Sequence, residues 1–334
     1  MSDMPAGADS KSAESVAFSV RDFLEAGRER LCLRLIAGEG SLSRIVEEPI
    51  VNRPGLALTG FFKSFAWRRP QLVGNAESAY LSSLPASEAS ERFAALLEHK
   101  ANFFVFTGRH APDAKMVELA EKHGAVILAT PLKTRVFARL ATFEMERLSA
   151  PKTTIYGTMI EVCGLGILLE GAAGLGKSEC ALGLVKRGSA LVADDLTCIR
   201  RDVSTDRLFG SASDSTRGYM EIRGIGIIHV PSIFGICAVR GEKRLQLVVT
   251  LKRFEDVKGE IDRIGGQRKM RNILGVEVPN VVLPVSEGRD LVNLVETAAQ
   301  QERLLMAGYD VVANLSQRLH IRAEKAKLTE RNGK

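Results

Sequence analysis

Gly171-Ala172-Ala173-Gly174-Leu175-Gly176-Lys177-Ser178 is the stretch that decides how this chain is read. It follows the apolar run Ile167, Leu168 and Leu169 and opens into a segment of helical character, Glu179 to Arg187. Strand, GxxxxGK[ST], helix is the layout of a phosphate-binding loop. Glycines let backbone N–H groups turn inward around phosphate oxygens, and the helix N-terminus adds a favourable dipole. In that arrangement Lys177 reaches the β- and γ-phosphates, and the Ser178 hydroxyl serves Mg²⁺. The alternative is a glycine-rich turn from strand to helix that binds nothing.

Seventeen residues after Lys177, the apolar run Leu191-Val192-Ala193 ends in two carboxylates, Asp194 and Asp195. An acidic residue at a strand end beside a phosphate loop commonly serves Mg²⁺. Neighbours on an extended segment point to opposite sides, so one of the two is expected to face the reacting phosphate. The pair also fits carboxylates that cap a turn before Thr197. Further on, Met220-Glu221-Ile222-Arg223-Gly224-Ile225-Gly226-Ile227-Ile228-His229-Val230 reads as extended chain with Glu221 and Arg223 on one side. A lone histidine such as His229 in an apolar strand reads first as a packed residue.

The length of 334 residues favours two domains. The expected layout is a disordered lead at 1–16, an α/β domain at 17–150, a catalytic domain at 151–322 and a basic tail at 323–334. In the first domain, strands are expected at Leu31–Ile36, Phe103–Phe106 and Ala125–Ala129. Helices are expected at Glu91–Lys100, Ala114–His123 and Thr134–Leu148, and together they suggest a small parallel sheet. His99, His110 and His123 are isolated and read as surface residues. The second domain should be β-rich around the loop, with strands at Thr153–Val162, Leu165–Glu170, Ala190–Ala193, Thr197–Arg200, Leu208–Ser211 and Leu245–Leu251. Two helices close it, Arg289–Ala307 and one running from Val312.

Hydrophobic content of 45% and charged content of 26% are those of an ordinary globular protein. Of the formal charge of +6, four net charges lie in the segment from Arg318 to Lys334, where Arg318, Arg322, Lys325, Lys327, Arg331 and Lys334 outweigh Glu324 and Glu330. A solvated terminal helix explains that better than a nucleic-acid arm. The five cysteines are scattered without a CxxC pair, which argues for a reducing cytoplasm and for small buried side chains. The N-terminus lacks the layout of a signal peptide, and Gly224–Val239 is too short and interrupted to span a bilayer.

Taken together, these segments resemble the bacterial HPr kinase/phosphorylase family. The resemblance rests on the phosphate loop, the acidic pair and the Glu221-Ile222-Arg223-Gly224-Ile225-Gly226-Ile227-Ile228 signature. It extends to Asp262-Arg263-Ile264-Gly265, to Pro284-Val285-Ser286-Glu287-Gly288-Arg289 and to Asn52–Phe62 in the first half, and spans about residues 17–322. It implies a two-domain α/β protein whose catalytic core is similar to phosphoenolpyruvate carboxykinase, assembled as a hexamer. The implied reaction is ATP- and Mg²⁺-dependent phosphorylation of a serine in the carrier protein HPr. Phosphorolysis, with inorganic phosphate releasing pyrophosphate, is its reverse counterpart.

Carried over residue by residue, Gly171 to Ser178 hold the nucleotide, Ser178 and Glu221 bind Mg²⁺, and Asp195 is the general base. Asp194 orients Lys177 or a metal-bound water, Arg263 stabilises the transferred group, and Pro284 to Arg289 belong to dephosphorylation. Two positions depart from the pattern: Tyr156 stands where the family has histidine before Gly157, and His229 replaces an aspartate. A phenol exchanges protons poorly near neutral pH, so the kinase direction is the firmer expectation. The other readings are a nucleotide-sensing regulator with a degenerate site and a kinase for a small hydroxylated metabolite.

Overall fold

The computed structural model describes residues 16–257, 268–286, 288–311 and 313–314. Arg263, Glu287, the lead and the tail from residue 315 therefore lie outside the described residues, as does most of the helix expected from Val312. The chain divides between Ala150 and Pro151 into two compact units.

In the first unit the helices are α1 (Val20–Gly27), α2 (Gly55–Leu58), α3 (Asn75–Ser83), α4 (Ala86–Glu98), α5 (Ala114–His123) and α6 (Thr134–Ser149). The strands are β1 (Arg34–Ala37), β2 (Gln71–Val73), β3 (Phe103–Thr107) and β4 (Val126–Thr130), in the sheet order β1-β4-β3-β2. Strands β2, β3 and β4 are parallel. Their apolar runs are continuous because both faces are covered. Phe104, Phe106 and Ile127 pack with Phe93 and Leu96 of α4 on one face. Phe103, Val105 and Leu128 pack with Phe23 of α1 and Phe137 of α6 on the other.

The expected all-parallel sheet needs correction, since β1 runs antiparallel to β4. It is also shorter than the apolar run suggested, beginning only after Cys32, whose φ of 49° interrupts an extended backbone. The isolated histidines have local roles: His99 stacks on Phe62 with ring centroids 3.7 Å apart, and His110 shares a 2.7 Å hydrogen bond with Asn75 Oδ1. His123 Nδ1 sits 2.9 Å from the Leu119 carbonyl.

The second unit contains β5 (Lys152–Tyr156), β6 (Thr158–Val162), β7 (Leu165–Gly171), α7 (Lys177–Lys186), β8 (Ala190–Ala193), β9 (Leu196–Asp202) and β10 (Arg207–Ser211). It continues through the hairpin β11 (Tyr219–Ile222) and β12 (Gly226–His229), then α8 (Val230–Phe234), β13 (Glu242–Arg253), β14 (Lys269–Ile273), β15 (Val276–Val285) and α9 (Leu291–Met306). Strand β13 ties the sheet together. Its first residues pair with β10, and its remainder lies between the parallel strands β7 and β15. Leu169, Val249 and Leu251 pack against Leu184 of α7 and Val295 of α9. On the opposite face, Leu168, Val192 and Val248 meet Ile155, Ile199 and Leu208 of the antiparallel layer. Each such aliphatic side chain, once fully buried, contributes about 1.5–3 kcal/mol, which fixes the ends of β7, β8 and β13 relative to one another.

The reading of cysteines as mostly buried also needs correction: Cys180 is buried, Cys163 and Cys198 are half-buried, and Cys32 and Cys237 are exposed. All five are free thiols. Among the described residues, no helix is long and apolar enough to cross a membrane.

Candidate active site

The glycine loop leaves the carboxyl end of β7, the edge at which parallel strands place their ligands. Leu251 of β13 stands in register with Gly171, and Arg253 with Val285 of β15. Three strand ends therefore open on one edge, and they deliver Gly171 to Ser178 beside Pro284 and Val285. A side chain at Gly171 is excluded, because a β-carbon there would stand 2.6 Å from the Leu251 carbonyl oxygen. Gly176 precedes α7 with φ 82°, a left-handed turn that brings Lys177 and Ser178 into the first turn of the helix.

Strand β6 runs antiparallel between β7 and β8, so its first residue lies at the same edge. That residue, Thr158, is fully buried and donates to Asp194 Oδ1 at 2.8 Å. Ser178 Oγ donates to the same oxygen at 3.0 Å, and the Glu221 N–H donates to Oδ2 at 3.2 Å. Asp194 thus joins the loop, β6 and the β11–β12 hairpin. Burial is the largest influence on its carboxyl and raises its pKa; the Thr158 and Ser178 hydrogen bonds oppose that, and the Asp195 charge adds to it. The side chain does not cap the turn before Thr197: it is the Asp194 backbone carbonyl that accepts from Leu196 N, at 2.6 Å.

Asp195 differs from expectation in its backbone. It has φ 58°, a left-handed turn rather than extended chain, and its side chain is exposed. The Asp195 carbonyl accepts from Gly157 N at 2.9 Å, and Thr197 Oγ1 donates to the Gly157 carbonyl at 2.8 Å. The two carboxylates are therefore separated by a turn, one facing inward to hydroxyls and one facing solvent. Tyr156 is 82% exposed, and among the described residues its hydroxyl has no hydrogen-bond partner.

Lys177 Nζ donates to the carbonyls of Gly171 at 3.0 Å and Ala172 at 3.2 Å, so the ammonium is folded back on its own loop. Glu221 is exposed on β11, opposite Ile227 of β12. The 220–230 segment is thus a hairpin with a turn at 223–225, not one extended strand. His229 Nδ1 sits 2.6 Å from Ser232 Oγ, and its ring lies 4.8 Å from that of Tyr219; it is a packed residue at the start of α8. Arg289 Nη1 donates to the Pro284 carbonyl at 3.3 Å and Arg289 N to that of Ser286 at 3.2 Å.

Two residues absent from the sequence reading are part of this site. Thr158 carries the buried hydroxyl described above. Glu170, immediately before the loop, has its pKa raised by burial, while Arg271, 3.7 Å away, only partly offsets that. Among the described residues no trio of His, Cys, Asp and Glu forms a metal cage. The oxygen donors Ser178, Asp194 and Glu221 suit Mg²⁺, which takes one or two protein ligands and fills its remaining positions with water and phosphate.

Comparison with known proteins places the chain in a family. Residues 18–143 match the family model for the HPr serine kinase N terminus, and residues 147–319 match that for the HPr serine kinase C-terminal domain. The HPr kinase/phosphorylase of Leptospira biflexa is 41% identical over 291 residues, covering 87% of this chain and 90% of that protein. The Bacillus subtilis HPr kinase/phosphorylase is 36% identical over 292 residues, covering 87% and 93%. A solved structure, the Hpr(Ser) kinase/phosphatase from Coxiella burnetii, is 34% identical with a TM-score of 0.45, covering 50% of this chain and 98% of that one. With both halves matched and relatives covered almost end to end, this chain belongs to the HPr kinase/phosphorylase family.

Proposed function

We propose that the chain phosphorylates a serine of HPr with ATP and Mg²⁺ and removes the same phosphoryl group by phosphorolysis. The observation that carries the reading is the 3.0 Å bond from Ser178 to Asp194, which locks the glycine loop to the acidic pair in a member of this family. Loop amides and the Lys177 ammonium hold the phosphates, the lysine exchanging the Gly171 and Ala172 carbonyls for phosphate oxygens. Ser178 and Glu221 hold Mg²⁺, which when bound neutralises charge on the phosphate oxygens. Asp194 fixes the Ser178 hydroxyl and the hairpin.

In the forward direction the serine oxygen bonds to the γ-phosphorus while the bond to the β-phosphate oxygen breaks. Asp195 accepts the hydroxyl proton late in that transfer, and ADP leaves. In reverse, an oxygen of inorganic phosphate attacks the phosphoserine phosphorus. The serine oxygen departs with the proton that Asp195 took from the attacking phosphate, leaving pyrophosphate. Arg263 supplies charge to the group in flight, and the segment from Pro284 to Arg289 serves the reverse reaction. Tyr156 stands at the rim beside Asp195. Membership of the family extends the proposal to a phosphoenolpyruvate carboxykinase-like core, a hexamer and a cytoplasmic setting.

The test is transfer of label from γ-³²P-ATP to a serine of HPr. Asp195→Asn should lower the rate by about 10²–10⁴-fold, the worth of general base catalysis, with ATP still bound. Lys177→Ala should abolish transfer through lost phosphate binding. A folded, ATP-bound protein that labels no HPr of its host refutes the reading. Turnover with a hydroxylated metabolite instead of HPr would make it a metabolite kinase, and ATP binding without turnover a nucleotide-responsive regulator.

A further inference from the structure

The turn between β11 and β12 carries an arginine that, among the described residues, no carboxylate neutralises. Arg223 is exposed and, among the described residues, forms no hydrogen bond or ion pair. Its guanidinium lies over the glycine loop: a β-carbon on Gly174 would stand 3.6 Å from Nη2 and 3.9 Å from Nη1. A second group of donors therefore faces a loop whose amides are themselves donors. Two donor surfaces brought this close gain nothing from each other; an anion between them satisfies both.

The arginine is held there by its hairpin. Ile222 is buried, Ile225 N donates to the Ile222 carbonyl at 3.0 Å, and Ile222 pairs with Gly226. One residue earlier, the Glu221 N–H is bonded to Asp194, the carboxylate that also takes Ser178. The hairpin thus approaches the loop from the side of the acidic pair, where the reacting end of a nucleotide belongs. Lys177 cannot cover the same place in this arrangement, being turned onto the carbonyls of Gly171 and Ala172.

We propose that Arg223 binds the terminal phosphate of the nucleotide over Gly174, and that this contact separates a nucleoside triphosphate from a diphosphate. The inference rests on the kinase reading for its ligand, but it makes a separate claim about binding selectivity. A planar fork suits two phosphate oxygens at once, and an exposed guanidinium without a partner among the described residues gives up no ion pair there to bind them.

The experiment measures the affinities of MgATP and MgADP for the full chain and for Arg223→Gln and Arg223→Lys, together with KM and kcat for HPr phosphorylation. Arg223→Gln should weaken MgATP by about 10- to 100-fold, the worth of a charged hydrogen bond, and MgADP by less than about 3-fold. Arg223→Lys should recover part of the ATP loss, since it keeps the charge and not the fork, and the KM for HPr should stay unchanged. Equal weakening of ATP and ADP would mean that Arg223 only braces the loop, and unchanged ATP affinity would remove it from the site; either result overturns the proposal. If the wild-type chain binds ATP more tightly than ADP in an Arg223-dependent way yet labels no HPr, the kinase reading fails and this inference stands.

Discussion

Replacing Thr158 by valine isolates a buried hydroxyl that serves the inner carboxylate. The shapes match, so the change deletes the 2.8 Å bond to Asp194 Oδ1 and little else. A hydrogen bond to a charged group is worth about 1.5–3 kcal/mol. Sparing the hydroxyl its own burial returns about 1 kcal/mol, so the net loss is about 0.5–2 kcal/mol while Asp194 is ionised. With Asp194 protonated the bond is between neutral groups, worth about 0.5–1.5 kcal/mol, and the two contributions nearly cancel.

The sign follows from linkage. The Asp194 pKa is raised in the folded state by burial, so its ionisation removes stability as pH rises from the ordinary carboxyl range through that raised value. Thr158→Val raises it further. The variant should be less stable than wild type at pH 7.5, with the gap closing as pH falls below the folded-state value, and its acid limb of phosphotransfer should move to higher pH. The only tryptophan, Trp67, lies in the first unit, so its fluorescence reports the wrong half of the molecule. Hydrogen exchange of the β6, β7 and β8 amides across a pH series is the suitable assay. A destabilisation that is the same at every pH would refute the claim that this hydroxyl serves the charged carboxylate.

Two more outcomes concern packing and reactivity. Gly166→Ala places a β-carbon 2.1 Å from the Arg244 carbonyl oxygen, where backbone must move; a loss of at least about 1–3 kcal/mol is expected, seen as faster proteolysis of the second unit, and a stable variant would contradict the β7–β13 approach. Burial pushes the Cys180 thiol up to about 12, so maleimide at neutral pH should label the exposed Cys32 and Cys237 and leave Cys180 unmodified until unfolding, as mass spectrometry of digests would report.

The parts legible in the sequence are those coded by local chemistry. Glycine spacing and the flanking apolar run give β7, the loop and α7 because only that backbone path brings Lys177 and Ser178 to a helix start. Phe103–Phe106 and Ala114–His123 are legible by periodicity. Strand direction is not: nothing in Leu33 or Leu35 says that β1 opposes β4, since pairing is chosen by tertiary contacts. The hairpin was hidden because Gly224 and Gly226 suit close approach in a strand as well as a turn. Thr158 was hidden because a hydroxyl at a strand start has no signature until β6 lies between β7 and β8. Arg223 was visible as a residue, yet its position over Gly174 depends on the turn. The left-handed backbone of Asp195 has no such signature either.

That backbone has an evolutionary consequence. At φ 58° asparagine is as comfortable as aspartate, whereas alanine or glutamate would strain the turn by about 1–2 kcal/mol. Aspartate and asparagine codons differ by a single base. If Asp195 is the base proposed above, the least disruptive accident there is therefore the one that silences chemistry while sparing shape, so a descendant of this enzyme can lose its reaction in one mutational step without first becoming an unstable protein.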